Sequence, residues 1–119
     1  MAVKYAKWLK ALLIDGLEIS CGTSMGATFN MCRGGIPVDE MVQSFAPSRQ
    51  AKIKTYFESM LGKFELTGPY NDETAKLIRP VMGAVPLFSV GGWRDLRQME
   101  EAVSKGDTDF ISMCRPFIR

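Results

Sequence analysis

Apolar and polar residues alternate with two different periods along the start of the chain. From Val3 to Leu13, apolar residues recur every three or four positions with lysines between them, which predicts a helix with one buried face. Asp15 and Gly16 are typical of a turn, and Leu17–Ser20 then has the composition of a short strand. The chain therefore begins with a predicted helix, turn and strand.

Helical periodicity returns twice in the middle of the chain. Ser48–Leu61 places its apolar side chains on one face, and Pro47 suits the first turn of a helix. Asp72–Arg79 is a second predicted helix, with Asn71 as its N-cap and acidic residues in its first turn. Pro80 is expected to end or kink this helix because proline has no backbone N–H to donate.

Strand and helix patterns alternate through the last third of the chain. Pro86–Val90 and Asp109–Met113 are predicted to be buried strands, and Trp93–Gly106 between them has the period of a crossover helix. The apolar stripe of this predicted helix is formed by Leu96, Met99 and Val103. Strands that alternate with helices predict an α/β fold with a parallel sheet and right-handed crossovers.

One long segment, Cys21–Phe45, interrupts this alternation. It contains four glycines and Pro37 and shows neither helical nor strand periodicity. We predict a long loop excursion over residues 21–45, and a loop of this length in a compact domain is usually functional or mobile. Nothing in the sequence marks a second domain, so residues 1–119 are expected to form one domain.

Composition and charge narrow the possible functions. The net charge is only +2 and both signs are spread along the chain, so no basic stripe favours nucleic acid. No run of about 18 apolar residues predicts a membrane span, and the lysine-rich start does not fit a secretory leader. Three cysteines without paired spacing favour a reducing cytoplasm. Histidine is absent, which removes the commonest general base and the commonest metal ligand.

Candidate chemistry lies in the two turns that follow the last two predicted strands. The first strand runs into Gly91 and Gly92, and the second runs into Cys114 and Arg115. Such turns at one end of a parallel β/α sheet build phosphate cradles from backbone N–H groups. Glycine lets the backbone approach an anion closely, and an arginine adds charge-assisted hydrogen bonds. The alternative is two plain turns, with Arg115 solvated or paired with a partner chain.

Three further features have ordinary explanations. Arg33–Gly35 could form a second anion loop, but a flexible turn is favoured. Cys21, Cys32 and Cys114 show no C-x-x-C spacing, so we predict no metal site. Glu18 lies in the middle of a predicted strand, either on an exposed face or at a polar barrel mouth, and no neighbour in sequence would tune it as a catalytic base.

The amino-acid sequences of several segments resemble those of a known family. The segments KYAKWLK…IDGLEIS, RGGIP, PLFSVGGWR…MEEAVSKG and DFISMCRPFIR are similar to the C-terminal third of the Old Yellow Enzyme type NADH:flavin oxidoreductases. Members of that family are FMN-dependent TIM barrels. The resemblance covers nearly the whole chain, and it implies that the three predicted strands are the sixth, seventh and eighth strands of such a barrel.

The resemblance also implies roles for the two turns. Gly91 and Gly92 match the family's glycine pair, whose backbone N–H groups hold the FMN phosphate. Cys114 and Arg115 match the Gly-Arg or Ser-Arg pair that completes this cradle, and Cys114 departs from the commoner glycine. Trp93 departs as well, because an aliphatic residue is usual there. FMN is therefore the expected cofactor, bound through Gly91, Gly92, Cys114 and Arg115.

The family's catalytic residues have no counterpart in this sequence. The resemblance places the substrate-binding histidine pair, the tyrosine proton donor and the flavin-facing residues on the first five strands of the barrel. We therefore expect a barrel fragment without catalytic residues, whose activity as an enzyme alone is uncertain. The alternative is a non-catalytic oligomeric α/β fragment with at most a vestigial phosphate site.

Three parallel strands cannot close a barrel, which needs about eight. An open piece exposes two strand edges and one sheet face. The partner expected from this is a second copy of the chain in a homo-oligomer. The other candidate partner is a complementary N-terminal half of the barrel. Neither nucleic acid nor a membrane is an expected partner.

Overall fold

The computed structural model describes residues 1–21 and 33–117. Helices and strands alternate in the order α1 (Ala2–Ala11), β1 (Leu17–Ile19), α2 (Val38–Gln43), α3 (Pro47–Glu58), α4 (Asp72–Met82), β2 (Leu87–Val90), α5 (Leu96–Ser104) and β3 (Phe110–Ser112), followed by a 3-10 helix (Arg115–Phe117). No helix in the described ranges is long and apolar enough to cross a membrane.

The chain divides into two compact units. The larger unit comprises Met1–Cys21 together with Thr67–Arg119, and the smaller one comprises Gly22–Leu66. Two compact units need not be two domains, so the expectation of one domain over residues 1–119 stays a prediction.

A parallel sheet with the strand order β1-β2-β3 organises the larger unit. Leu17 pairs with Leu87 at one end of the β1–β2 ladder, and Val90 pairs with Ser112 at the far end of the β2–β3 ladder. All three strands therefore have their carboxyl ends at the same edge. The predicted α/β fold with three parallel strands is confirmed.

Helices α1 and α4 cover one face of this sheet. Their contact buries a cluster made of Ala6, Ile19, Ala75, Ile78, Met82 and Leu87. Ala75, Ile78 and Met82 lie at positions i, i+3 and i+7 of α4, so they form one stripe along the helix. This apolar stripe explains why Asp72–Met82 folds as a helix against β1 and β2.

Helix α4 continues through Pro80, so the predicted end of the helix at this residue is wrong, whereas the alternative of a kink stays a prediction. It continues to Met82 and stops at Gly83, whose φ is 61° and whose N–H donates to the Arg79 carbonyl at 2.9 Å. The missing N–H of Pro80 costs one hydrogen bond. The burial of Ile78 and Met82 on either side of Pro80 outweighs that loss and keeps the last turn helical.

The predicted apolar stripe of α5 is largely exposed. Leu96 is 68% exposed and Val103 is half-exposed, whereas the buried residue of this helix is Ala102. Periodicity correctly identified a helix here, but its buried residue is the small Ala102. Leu96 and Val103 are left on the surface, and Met99 is partly buried.

Two helices pack together in the smaller unit. Val38 and Val42 of α2 contact Phe57 of α3 in a second apolar cluster, and Lys54 Nζ lies 2.7 Å from Asp39 Oδ1 across the same helices. Pro47 occupies the first turn of α3, as predicted. The prediction of a loop over residues 21–45 is wrong at Val38–Gln43, which is helical, and residues 22–32 lie outside the described residues.

Candidate functional site

The two candidate turns leave the sheet side by side. Val90 and Ser112 are in register on neighbouring parallel strands. Gly91 directly follows Val90, and Cys114 follows Ser112 by two residues, so both turns extend from the same edge. The 3-10 helix then begins at Arg115, and its Phe117 N–H donates to the Cys114 carbonyl at 3.0 Å. The fold therefore brings together the backbone of the positions that the sequence singled out.

Gly91 and Gly92 are required by two independent features of the backbone. Their φ angles are +113° and +82°, a region that residues with a Cβ rarely adopt. A Cβ on Gly91 would collide with the Tyr70 ring, and a Cβ on Gly92 would collide with the Gly68 carbonyl oxygen. Any other residue at either position would distort the turn.

The N–H groups of this turn are available as donors. Among residues 1–21 and 33–117, no acceptor is hydrogen-bonded to the N–H of Gly91 or Gly92. Both glycines are partly exposed, so water or a ligand can reach their N–H groups. Two neighbouring N–H groups without a protein acceptor in the described part of the chain fit the requirement for binding an anion.

Asn71 links the carboxyl ends of two strands. Its side-chain nitrogen donates to the Val90 carbonyl at 2.6 Å and lies 3.5 Å from the Ile19 carbonyl. The residue is 5% exposed. Asn71 precedes α4, as the sequence predicted, but its side chain makes no capping hydrogen bond. Sequence reasoning missed this role because asparagine before a helix is a typical capping signal.

Trp93 and Asp95 hold the exit of the glycine turn. The buried Trp93 ring donates from Nε1 to Ser89 Oγ at 3.3 Å, which connects the turn to the middle of β2. Asp95 is the N-cap of α5 and accepts from the Arg97 N–H at 2.9 Å. This backbone hydrogen bond, together with the Arg97 side chain, lowers the pKa of Asp95 below its ordinary value.

The second turn is described only in part. The Cys114 side chain is exposed, and the Arg115 side chain lies outside the described part of the structure. The placement of Gly91, Gly92 and Cys114 at adjacent strand ends is therefore observed, whereas their binding of FMN stays a prediction, as does that of Arg115.

Other candidates from the sequence are placed as follows. Gly34 has a φ of +94° and donates its N–H to the Phe64 carbonyl at 3.0 Å, as in a structural turn. Cys32 lies outside the described residues. In the part of the chain that can be described, no three His, Cys, Asp or Glu side chains lie close enough together to hold a metal ion.

One face of the sheet is only partly covered by the described residues. Glu18, Phe88 and Phe110 are in register across the three strands. The rings of Phe88 and Phe110 stack with centroids 4.6 Å apart, and Phe110 is 51% exposed. Glu18 is also exposed, which agrees with one of its two predicted positions.

Two curated proteins match this chain, and both are named NADH-dependent flavin oxidoreductases. The chain is 48% identical over 44 residues to iccE of Talaromyces variabilis, covering 37% of this chain and 11% of that protein. It is 29% identical over 116 residues to iliE of Neonectria sp. (strain DH2), covering 98% of this chain and 13% of that protein. No family model and no solved structure matches.

These matches confirm the resemblance to NADH:flavin oxidoreductases that the motifs indicated. The matched stretches span only 11% and 13% of the curated relatives' own length. The chain is thus similar to a segment of such an enzyme.

Proposed function

We propose that this chain is a fragment of an FMN-dependent NADH:flavin oxidoreductase that retains the turns for the FMN phosphate. The observation that carries the proposal is the register of Val90 with Ser112, which sets the Gly91–Gly92 turn beside the Cys114–Arg115 turn. The similarity to two NADH-dependent flavin oxidoreductases supports the same conclusion.

The two turns can accommodate an anion if it approaches from one side. The Cβ side of the glycine turn is filled by Tyr70 and Gly68, so a phosphate must approach from the N–H side. The N–H groups of Gly91 and Gly92 would donate to phosphate oxygens, and the backbone of Cys114 and Arg115 would add donors. The Arg115 guanidinium would contribute charge-assisted hydrogen bonds. When bound, FMN supplies the hydride chemistry of this enzyme class.

Binding without turnover is the expected behaviour of the isolated chain. The family resemblance places the substrate-binding and proton-donating groups on strands that have no counterpart in this sequence, and the chain contains no histidine. A phosphate cradle alone does not position a substrate against a flavin. Catalysis therefore requires substrate-binding and proton-donating side chains from another chain or segment, for example a complementary N-terminal half of the barrel.

The alternative is a non-catalytic oligomeric α/β protein with a vestigial phosphate site. The open sheet face with Phe88 and the half-exposed Phe110 favours a second copy as the covering partner. Trp8 on α1 and Leu96 on α5 are further exposed apolar residues of the larger unit. Such surfaces usually mark an interface.

Size-exclusion chromatography with light scattering, on protein incubated with excess FMN, tests the proposal. We expect flavin absorbance to elute with the protein and to be lost in Arg115→Ala. Arg97→Ala is the matched control, because the Arg97 side chain is 90% exposed and, in the described part of the chain, forms its ion pair with Asp95. Protein that elutes without flavin, or an Arg115→Ala variant that retains it fully, would contradict the phosphate-binding role and favour the non-catalytic alternative.

A further inference from the structure

The segment Gly68–Asn71 is tied to the glycine turn at three points. Asn71 donates to the carbonyl of Val90, the residue directly before Gly91. The Tyr70 ring lies against Gly91, and the Gly68 carbonyl lies against Gly92. Three residues of this four-residue segment thus contact the end of β2 and the two glycines of the turn.

The contact from Asn71 is a hydrogen bond, whereas the other two are packing contacts. At 2.6 Å and in a residue that is 5% exposed, it joins the start of α4 to the carboxyl end of β2. The same nitrogen lies 3.5 Å from the Ile19 carbonyl at the end of β1. Water cannot easily replace a donor at this depth, so loss of the amide would leave the Val90 carbonyl without this partner.

The glycine pair needs such a restraint if it is to bind an anion. Two consecutive glycines have access to a wide range of φ and ψ, and most of these conformations do not point both N–H groups towards one ligand. A site that is held in its binding conformation avoids that ordering cost when the ligand arrives. The contacts from Tyr70 and Gly68 exclude one whole side of the turn.

We propose that Asn71 is a positioning residue that, with Tyr70 and Gly68, clamps the Gly91–Gly92 turn in its anion-binding conformation. The proposal rests on the proposed function, since it concerns the same phosphate site. It assigns to the segment before α4 a role in ligand affinity. A purely structural Asn71 would contribute to folding stability and leave the affinity of the folded protein unchanged.

The test is the FMN affinity of Asn71→Asp at two pH values, measured by flavin fluorescence titration. An ionised carboxylate cannot donate to the Val90 carbonyl and repels it, so we expect FMN binding about tenfold weaker than in wild type at about pH 7.5. At about pH 5 the introduced carboxyl, buried beside two carbonyls, takes up a proton and can donate again. We expect the affinity ratio to wild type, measured at the same pH, to return towards one.

Two controls separate positioning from stability. Asp109→Asn weakens contacts at the opposite end of β2, where Asp109 accepts from the Leu87 N–H, and should lower the melting temperature without changing FMN affinity. If Asn71→Asp does not fold, Asn71→Ser replaces it in the test. Its hydroxyl group is a shorter donor than the amide, so we expect its FMN affinity to be below that of wild type. Equal FMN affinity in folded wild type and in the folded Asn71 variant at about pH 7.5 would overturn the clamp.

Failure of the proposed function gives a different result. If wild type itself does not bind FMN, the phosphate site is refuted, and NMR order parameters of the Gly91 and Gly92 N–H vectors then decide whether the turn is clamped. Lower order parameters in the Asn71 variant than in Asp109→Asn support the clamp. Order parameters that are unchanged in the variant overturn it.

Discussion

At the scale of single residues, the glycine turn shows how two causes act on one position. Gly92 has a positive φ, and the Gly68 carbonyl fills the place of its missing Cβ. Gly106 also has a positive φ, +74°, but nothing lies within 4 Å of where its Cβ would be. Comparing Gly92 with Gly106 therefore separates the free-energy cost of the backbone conformation from the cost of a steric collision.

Gly92→Ala is expected to destabilise the protein more than Gly106→Ala. The left-handed backbone alone costs an alanine about 1 kcal/mol, which is the loss expected for Gly106→Ala. At Gly92 the collision with the Gly68 carbonyl adds to this, so we expect a total loss of at least about 2 kcal/mol. Urea unfolding of both variants measures the difference, and equal losses would show that the Gly68 segment moves aside without cost.

At the scale of elements, an ion pair joins α4 to the strands at the amino end of the sheet. Arg79 lies 2.5 Å from Asp109, and the same Asp109 oxygen accepts from the Leu87 N–H at 2.7 Å. Arg79 also donates to the Gly83 carbonyl at 3.0 Å. The hydrogen bonds from Arg79 and from the Leu87 N–H lower the pKa of Asp109 below its ordinary value.

This lowered pKa predicts a loss of stability in acid. A carboxyl whose pKa is lower in the folded than in the unfolded protein stabilises the fold above the unfolded value, about pH 4, and this contribution disappears as the pH falls through the folded value. Because the side chain is partly exposed, we expect Asp109→Asn to lose only about 1 kcal/mol at neutral pH. The difference from wild type should shrink below about pH 4, as the pH falls through the folded pKa of Asp109.

Urea unfolding over a pH series checks this expectation. Asp39→Asn is the control, because Asp39 forms an exposed ion pair with Lys54 between α2 and α3 of the smaller unit. It should change stability by less than about 0.5 kcal/mol at neutral pH. A loss for Asp109→Asn that stays constant from neutral to acid pH would show that the charge of Asp109 is unimportant.

At the scale of the whole molecule, the open sheet is the dominant feature. Among the residues that the structure describes, the sheet of three parallel strands has β1 and β3 as its edges. Phe88 and Phe110 form a stacked pair on the open face, beside the exposed Glu18. This arrangement supports the proposal that copies of the chain associate, since the free surface lies where a closed barrel would have its interior.

We expect the Phe110→Asp variant to have a larger monomer fraction than wild type at the same concentration. A carboxylate on the face where Phe110 stacks on Phe88 would have to be desolvated on association, which is costly. Light scattering over a dilution series measures the effect, with Tyr56→Asp on α3 as a control for losing an exposed aromatic ring. A wild-type chain that is monomeric at every concentration would refute self-association, and equal shifts in both variants would place the interface elsewhere.

The sequence by itself determined the helices and strands of the larger unit and their parallel arrangement. Helical periodicity, turn residues and strand composition are local properties, which is why Pro86–Val90 and Asp109–Met113 were close to the observed β2 and β3. The glycine and Cys-Arg turns were found in the same way, because each directly follows a strand. Their adjacency followed from the rule that parallel strands end at one edge.

Only the tertiary structure decided how individual side chains are used. Asn71 reaches carbonyls 19 and 52 residues away along the chain, and no local pattern separates this role from capping. Helix α4 continues through Pro80 because burial on both sides compensates for a local defect. Leu96 is exposed because its face of α5 does not pack against the sheet. These outcomes depend on contacts between distant segments, and contact energies of this kind are set by packing and not by sequence spacing.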